Sequence, residues 1–247
     1  KNPNSSIIVP ITSNSLLVQQ EIQKVEQAQE NQYYVRMIHG GKIYPNAGSF
    51  ALKNLTFGAE AAKIFCLLGP NGAGKTTTLN NVANTIPLTY GSIQVNNQEL
   101  FGIPDPDYAP GICLQSDMLW DLLTVEQHLK IYALFKGIPF ENVGKNVEEL
   151  IHILGLEPFR NRQVEYLTAG TKRKLSVALA VIGAPKLIIL DEPTTGVDPL
   201  GRNQIWTLIK NLAQKRRSTV LISTHYMEDA ELVADKLGKF LRIFFDL

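Results

Sequence analysis

The sequence has little of what marks a disulfide-stabilised, nucleic-acid-binding or membrane-spanning protein. Its two cysteines, Cys66 and Cys113, lack the CxxC spacing of a metal or redox pair, so we expect reduced core thiols and a cytosolic location. The 24 basic side chains barely outnumber the 23 acidic ones, so no basic field favours a nucleic-acid partner. Apolar runs such as 177–182 are far shorter than the ~18 residues of a bilayer crossing.

The sequence also shows no signal peptide, and because it begins at Lys1 we expect a piece of a longer or processed protein. Apolar residues make up 45% of the chain, and its length suits one large domain or two small ones. Residues 1–32 are interpreted as a tether or linker, since 14 of them are Asn, Gln or Ser. Within this segment, Val18, Ile22 and Val25 have the spacing of a short amphipathic helix.

From residue 33 onwards, short β-rich runs alternate with helical patterns. Strands are predicted over 34–38, 64–68, 91–95, 112–114, 187–190 and 219–223. Helices are predicted over 75–86, 125–135, 143–154, 171–182, 202–214 and 226–234. This alternation indicates an α/β fold with a mostly parallel sheet and helices on both faces. Two successive helices within 121–160, without a strand between them, indicate an inserted helical subdomain.

Residues 69–76 form the pattern GxxxxGK[ST], between a predicted strand and a predicted helix. The pattern consists of Gly69, Pro70, Asn71, Gly72, Ala73, Gly74, Lys75 and Thr76. Its glycines let successive N–H groups turn toward one anion, and the helix that follows adds the positive end of its dipole. Lys75 is then expected to reach the β and γ phosphates of a nucleotide, and the Thr76 hydroxyl to bind Mg²⁺. The alternative is a glycine-rich turn with a solvated lysine.

A second strand, 187–190, leads directly into Asp191 and Glu192. Both carboxylates are therefore expected at the carboxyl edge of the sheet, where a phosphate loop also lies. Neighbouring side chains on a strand point in opposite directions, which favours separate roles. Asp191 suits the Mg²⁺ shell, and Glu192 suits the base that orients or deprotonates an attacking water. Alone, such a pair is more often a solvated strand end.

Taken together with further motifs, these residues resemble the nucleotide-binding domain of ABC transporters over about residues 33–235. Gln115 sits like the Q-loop glutamine, which reaches the metal and the membrane domain, and Asp198 like the D-loop aspartate. His225 sits like the switch histidine that faces the γ phosphate. Tyr44 resembles the aromatic residue on which adenine stacks, and Thr77 joins the predicted nucleotide-binding residues.

The resemblance implies a P-loop (RecA-like) fold with an added antiparallel β subdomain. It assigns residues 33–247 to an ABC ATPase domain, with 116–168 as its helical subdomain. Each single motif keeps a simpler alternative. Gln115 would cap a strand, Asp198 would be a turn residue before Pro199, and His225 would be a helix cap or a core histidine, while Tyr44 would only pack.

Two segments resemble the A subfamily, whose members are largely associated with lipid export or flipping. They are residues 117–126, after the Q-loop, and residues 172–176, after the signature loop. In the simpler interpretation of the first segment, Leu119, Trp120 and Leu122 pack on the core and Thr124 caps the next helix. In the simpler interpretation of the second, the basic run 172–174 is a solvated helix face.

The chain departs from the family at the signature loop, usually LSGGQ, where residues 167–171 read LTAGT. Thr168 and Gly170 are expected to contact the γ phosphate held by an opposite cassette. Ala169 replaces a glycine, and its methyl group is expected to penalise positive φ and to narrow the approach to a phosphate. A second departure is the end of the chain, where residues 238–247 are expected to form at most one strand.

The resemblance implies an ATP-hydrolysing motor domain of a membrane ABC transporter, with ATP and Mg²⁺ as cofactors and a lipid-related cargo. Glu192, His225 and Gln115 are its expected catalytic residues, and Thr76, Gln115 and Asp191 its metal ligands. The expected partners are a second cassette, in the same polypeptide or a homodimer, and transmembrane domains at the cytoplasmic face of a membrane. The alternatives are a regulatory cassette that scarcely hydrolyses ATP, and a soluble ABC ATPase acting on ribosomes or DNA.

Overall fold

The computed structural model describes residues 7–8, 16–45, 50–100 and 109–240. It divides into two compact units, the first made of Lys1–Tyr108 and Thr219–Leu247, the second of Ala109–Ser218. The strands are β1 Ile7–Ile8, β2 Val35–Ile43, β3 Phe50–Ala59, β4 Ile64–Leu68, β5 Tyr90–Val95, β6 Gln98–Glu99, β7 Gly111–Cys113, β8 Leu187–Asp191, β9 Thr219–Thr224 and β10 Lys236–Lys239. The α-helices are α1 Leu16–Glu26, α2 Lys75–Val82, α3 Val125–Phe135, α4 Phe140–Ile153, α5 Ala169–Val181, α6 Pro199–Arg216 and α7 Met227–Val233.

A parallel sheet forms the centre of the first unit, with the strand order β1, β10, β4, β9. β4 and β9 consist of buried residues throughout, as expected for parallel strands covered on both faces. Their register pairs Ile64 with Val220 and Leu68 with Thr224, so both strands end at the same edge. Of the predicted strand 238–247, residues 238 and 239 belong to β10, and residues 241–247 lie outside the described part of the chain.

A separate antiparallel sheet has the order β3, β2, β5, β6. The sequence pattern did not predict β3, because Lys53 and Asn54 interrupt its apolar residues and Asn54 adopts a positive φ of 55°. The pairing of β2 with β3 also shifts register between Met37 and Gly40. Such irregularities break the strict alternation by which a strand is identified from sequence.

The predicted N-terminal helix is present as α1. It contacts β3 and buries Val18 and Val25. Lys236 of β10 donates a hydrogen bond to Glu21 of α1 at 2.6 Å, and both side chains are mostly buried. Residues 16–26 therefore pack on the first unit, whereas residues 1–6 and 9–15 of the predicted tether lie outside the described residues.

The second unit combines the parallel pair β7 and β8 with four α-helices, α3 to α6, and two short 3-10 helices, Glu157–Phe159 and Val164–Tyr166. α3 packs on α4, and α5 packs on both strands. Thr124 caps α3 in a capping box with Gln127, which confirms the capping role considered for it. Trp120 and Leu122 are 49% and 72% exposed, so the interpretation that they pack on the core was wrong.

The predicted α/β class, with parallel strands, a separate antiparallel sheet and a helical insert, is confirmed by these elements. Both cysteines are free and buried, as expected for core thiols. Among the described residues, none of the helices combines the length and the apolar character needed to cross a membrane.

Candidate active site

The phosphate-loop pattern lies between β4 and α2. Gly72 and Gly74 have φ of 80° and 95°, a region that side-chain-bearing residues rarely adopt. A Cβ at Gly74 would also lie 2.7 Å from the carbonyl oxygen of Ala51, so the strand beside the loop requires a glycine there. Because α2 begins at Lys75, the first N–H groups of this helix and its positive dipole end face the loop. The backbone thus forms an anion cradle.

Lys75 is 5% exposed and folds over its own loop. Its Nζ donates to the carbonyl oxygens of Gly69 at 2.7 Å and Pro70 at 3.0 Å. A buried ammonium group requires such partners, since an unpaired buried charge is very costly. The alternative of a solvated lysine in this loop was therefore wrong.

His225 lies beside the loop in the first unit. Gly69 N donates to Thr224 O at 3.3 Å, and His225 is the next residue after β9. The residue is exposed, and its ring lies 4.0 Å from the ring of Tyr226, centroid to centroid, at an interplanar angle of 40°. Since Tyr226 is the N-cap residue of α7, His225 is neither a core histidine nor a helix cap.

Tyr44, just after β2, also reaches this part of the first unit. Its hydroxyl lies 3.5 Å from Oγ1 of Thr77 on α2, and Lys42 Nζ lies 5.5 Å from the centroid of its ring. The first unit thus brings together the phosphate loop, an aromatic ring and the histidine at the end of β9.

In the second unit, β7 and β8 place Gln115 near the acidic pair. Their parallel register pairs Cys113 with Leu190, so Gln115 and Asp191 follow at the same edge. Asp191 and Glu192 are 3% and 7% exposed, so the alternative of a solvated strand end was wrong. Glu192 has a positive φ of 50°, a strained conformation that side-chain-bearing residues keep mainly at functional sites.

The interpretation of residues 172–174 as a solvated helix face was wrong for Arg173, whereas Lys172 and Lys174 are partly exposed. Arg173 is 3% exposed. It lies one turn before the buried Val177 on α5, the helix that packs on β7 and β8. The sequence signal that was missed is this i, i+4 relation to an apolar stripe.

The signature loop forms the start of α5. Thr168 is the N-cap residue, and its Oγ1 accepts from Thr171 N at 3.3 Å. Ala169 is the first residue of the helix and is not among the residues with positive φ, so the backbone penalty expected for its methyl group was wrong. A Cβ on Gly170 would lie 2.8 Å from the carbonyl oxygen of Gly196. The signature loop and the 196–198 loop are therefore in close contact.

Asp198 is the N-cap residue of α6. Its Oδ2 accepts from Gly201 N at 3.1 Å, with Pro199 at the first helical position. Asp198 is thus a helix cap and not the turn residue that the simpler interpretation made it, and the D-loop role stays a prediction.

The chemistry of the available donors suits Mg²⁺ with a nucleotide. Thr76, Gln115 and Asp191 offer a hydroxyl, an amide and a carboxylate oxygen, the hard ligands that Mg²⁺ prefers. Within the part of the chain that is described, no group of three or more His, Cys, Asp or Glu side chains is placed to hold a metal ion.

A glycine-rich loop after a buried parallel strand, a buried lysine and a helix N-terminus define a P-loop nucleotide-binding domain. A sequence profile of the family described as ABC transporter matches residues 52–195. The chain is 39% identical over 191 residues to ABC transporter A family member 2 of Arabidopsis thaliana, covering 76% of this chain and 19% of that protein. It is 35% identical over 230 residues to the phospholipid-transporting ATPase ABCA3 of Mus musculus, covering 86% and 13%.

Solved structures show the same fold. A dimeric bacterial ABC transporter cassette superimposes with a TM-score of 0.75 at 24% identity, over 84% of this chain and 97% of that one. The chain belongs to the ABC transporter family, as an ATP-binding cassette of the A-subfamily type. It spans a fifth or less of the length of these two curated relatives.

Proposed function

We propose that this chain is the ATP-hydrolysing motor domain of a membrane ABC transporter. The observation that carries the proposal is the anion cradle of residues 69–74, closed by the buried Lys75 and set beside His225 at the end of β9. A loop built in this way binds the phosphates of a nucleotide through its backbone N–H groups and one lysine.

Nucleotide binding is assigned mainly to the first unit. On arrival of ATP, Lys75 exchanges the carbonyls of Gly69 and Pro70 for the β and γ phosphates, which are better partners for an ammonium group. The hydroxyl of Tyr44 beside Thr77 positions the aromatic ring at the start of α2, where it stacks on adenine. Thr76, Gln115 and Asp191 would hold Mg²⁺.

Hydrolysis is assigned to Glu192 and His225. Glu192 accepts the proton of the attacking water, or orients that water in line with the γ phosphorus. Its side chain is held by Thr195, whose Oγ1 donates to Oε2 at 3.2 Å. His225 faces the γ phosphate, and Lys75 stabilises the charge that develops on it. Bound Mg²⁺ would add charge neutralisation on the phosphate oxygens.

A second cassette is proposed to complete the site. Thr168 and Gly170 of that cassette would offer their hydroxyl and N–H groups to the γ phosphate, with Asp198 at the same interface. The first turn of α5 has N–H groups without intrahelical acceptors, of which Thr168 caps that of Thr171, and such helix N-termini bind anions. Support comes from the dimeric state of the bacterial cassette that shares this fold. A closed dimer with higher affinity for ATP than for ADP would convert hydrolysis into motion.

The transmembrane partner is proposed to dock on an exposed aromatic surface of the second unit. The Trp120 and Tyr132 rings lie 5.9 Å apart, and the Tyr132 and Phe135 rings 6.2 Å apart. Trp120 and Phe135 are 49% and 75% exposed, and connected exposed aromatic side chains mark interaction surfaces. This proposal places the chain at the cytoplasmic face of a membrane. Phe135→Ser should weaken the coupling of ATP hydrolysis to the membrane domains and leave Mg·ATP affinity unchanged.

A phospholipid or related lipid is the proposed cargo. The support is the name of relatives such as the phospholipid-transporting ATPase ABCA3, to which the chain is 35% identical. Residues 117–126 and 172–176, which resemble the A subfamily, point the same way.

Steady-state phosphate release from Mg·ATP tests the motor function. Glu192→Gln keeps the shape of the side chain and removes the base, so we expect a loss of at least ~100-fold in kcat, within the range typical of general-base removal. Glu149→Gln, on the exposed face of α4, is the matched control and should keep the wild-type rate. Equal rates for wild type and Glu192→Gln would refute the motor function and favour a regulatory cassette.

A further inference from the structure

Arg173 is a buried cation in the second unit. It belongs to the first turns of α5, and 3% of its surface is exposed. A charged side chain is almost never buried to this degree without partners that satisfy it. The neighbours Lys172 and Lys174 remain partly exposed. A solvent-exposed basic helix face therefore accounts for Lys172 and Lys174 but not for the burial of Arg173.

The guanidinium group of Arg173 binds the ends of two strands at once. Its NH1 donates to Leu114 O at 2.6 Å, to Gln115 O at 3.3 Å and to Oδ1 of Asp117 at 3.0 Å. Its NH2 donates to Asp191 O, and to Glu192 O at 3.0 Å. One nitrogen thus holds the segment after β7, and the other holds the end of β8.

These contacts begin where the strand pairing stops. The last residues that β7 and β8 pair with each other are Cys113 and Leu190. The carbonyls of Leu114 and Asp191, which Arg173 binds, follow directly after them. Arg173 thus binds the carbonyl oxygens of both Asp191 and Glu192. These two contacts hold the backbone of Glu192 in its strained conformation, with a φ of 50°. Such strain persists only where the surroundings hold it.

We propose that Arg173 is a positioning residue for ATP hydrolysis, which fixes the backbone of Gln115 and Glu192 relative to each other from the buried side of the site. The inference rests on the proposed function. Arg173 does not touch the nucleotide in this scheme, because its guanidinium group is buried and already bonded to backbone carbonyls and Asp117. It acts through those carbonyls. Asp117 compensates its charge and holds the guanidinium in place.

A lysine cannot perform this role fully. Its single nitrogen would reach one strand end at a time, whereas the planar guanidinium presents separate N–H groups to both. Loss of the bridge should therefore misplace Glu192 and Gln115 without affecting the phosphate loop of the first unit. A displacement of about 1 Å at a catalytic group costs up to ~100-fold in rate.

The test compares two variants, Arg173→Lys and Arg173→Gln, with a control. The control is Lys172→Gln, which removes a charge from the preceding position of the same helix. The full 247-residue chain is assayed for kcat of Mg·ATP hydrolysis and for the Kd of ATP in the absence of Mg²⁺, with Tm as a check of folding. We expect kcat to fall about 10- to 100-fold in both Arg173 variants. The Kd of ATP without Mg²⁺ should stay within about threefold, since it depends on Lys75 and Tyr44 and not on the proposed Mg²⁺ ligands Gln115 and Asp191. Lys172→Gln should match wild type.

Two results would overturn the proposal. The first is a folded Arg173 variant that keeps kcat within about twofold of wild type, or that loses kcat only together with the affinity for ATP measured without Mg²⁺. The second is loss of the fold in both Arg173→Gln and Arg173→Lys, which would make the residue a support of the core. If only Arg173→Gln fails to fold, the kcat of Arg173→Lys decides. Absence of hydrolysis in the wild-type chain would instead refute the proposed function.

Discussion

Gly170→Ala adds a methyl group at the contact between the signature loop and the 196–198 loop. The new Cβ would lie 2.8 Å from the carbonyl oxygen of Gly196, whereas ordinary carbon–oxygen contacts are longer than 3.4 Å. The obstacle is backbone, and Gly196 already has φ of 74°, so neither partner can move aside by a rotamer change. The loop or the start of α5 must shift.

The expected cost follows from two opposing effects. Overpacking of this kind destabilises by about 1–3 kcal/mol, and alanine in a helix is favoured over glycine by about 0.5–1 kcal/mol. The net loss for Gly170→Ala should be about 1 kcal/mol. Gly144→Ala is the matched control, because Gly144 lies in α4 and an added Cβ would meet no atom of the described residues within 4 Å. That variant should gain about 0.5–1 kcal/mol.

Thermal unfolding of the two variants measures the difference. About 2 kcal/mol between them corresponds to ~4–8 °C in Tm for a chain of this size. ATP hydrolysis by Gly170→Ala should also fall, because the same shift moves the signature loop. If Gly170→Ala melts at or above the wild-type temperature, the close contact with Gly196 cannot be rigid, and the structural reasoning is refuted.

Further predictions concern the thiols, one histidine and one cap. Burial raises the pKa of Cys66 and Cys113 to about 12. Because the thiolate is the reactive form, neither side chain should react with iodoacetamide at pH 8 in the native chain. Rapid labelling detected by mass spectrometry would contradict this. Burial lowers the pKa of His128, whose ring accepts a hydrogen bond from Trp120 N. Protonation of this ring therefore favours the unfolded chain, and the free energy of unfolding should fall as the pH drops below about 6.5. In urea titrations, His128→Gln should remove that pH dependence, and an unchanged slope would exclude His128 as its source. Asp198→Ala should lose about 1 kcal/mol of stability with the cap of α6, while Asp198→Asn keeps it; equal Tm values would contradict the capping role.

The strands of the parallel sheets were predictable because apolar runs end at sharp local signals. β4 ends in the glycine loop and β8 ends in Asp191, so both were placed to within a residue. β3 was not predictable, because its register shifts and the positive φ of Asn54 depend on pairing with β2. Such long-range pairing leaves no periodic pattern in the strand itself.

The candidate site was predictable where its residues follow strand ends in recognisable motifs, as Lys75, Gln115 and Glu192 do. The supporting contacts were not. Arg173 lies in a run of basic residues that is typical of a solvated face, and only its partners on two other strand ends explain its burial. The approach of Gly170 to Gly196 likewise depends on how two loops meet in the folded unit. Local sequence patterns carry no information on such contacts.

The most direct test of the proposed function is calorimetric titration of the chain with Mg·ATP. The wild-type chain should bind Mg·ATP, and removal of Mg²⁺ should weaken the affinity. Lys75→Ala should bind at least ~10-fold more weakly, since a charge-assisted contact to phosphate contributes about 1.5–3 kcal/mol. Lys145→Ala, on an exposed position of α4, should bind like wild type. Equal affinities of wild type and Lys75→Ala would contradict nucleotide binding at the phosphate loop.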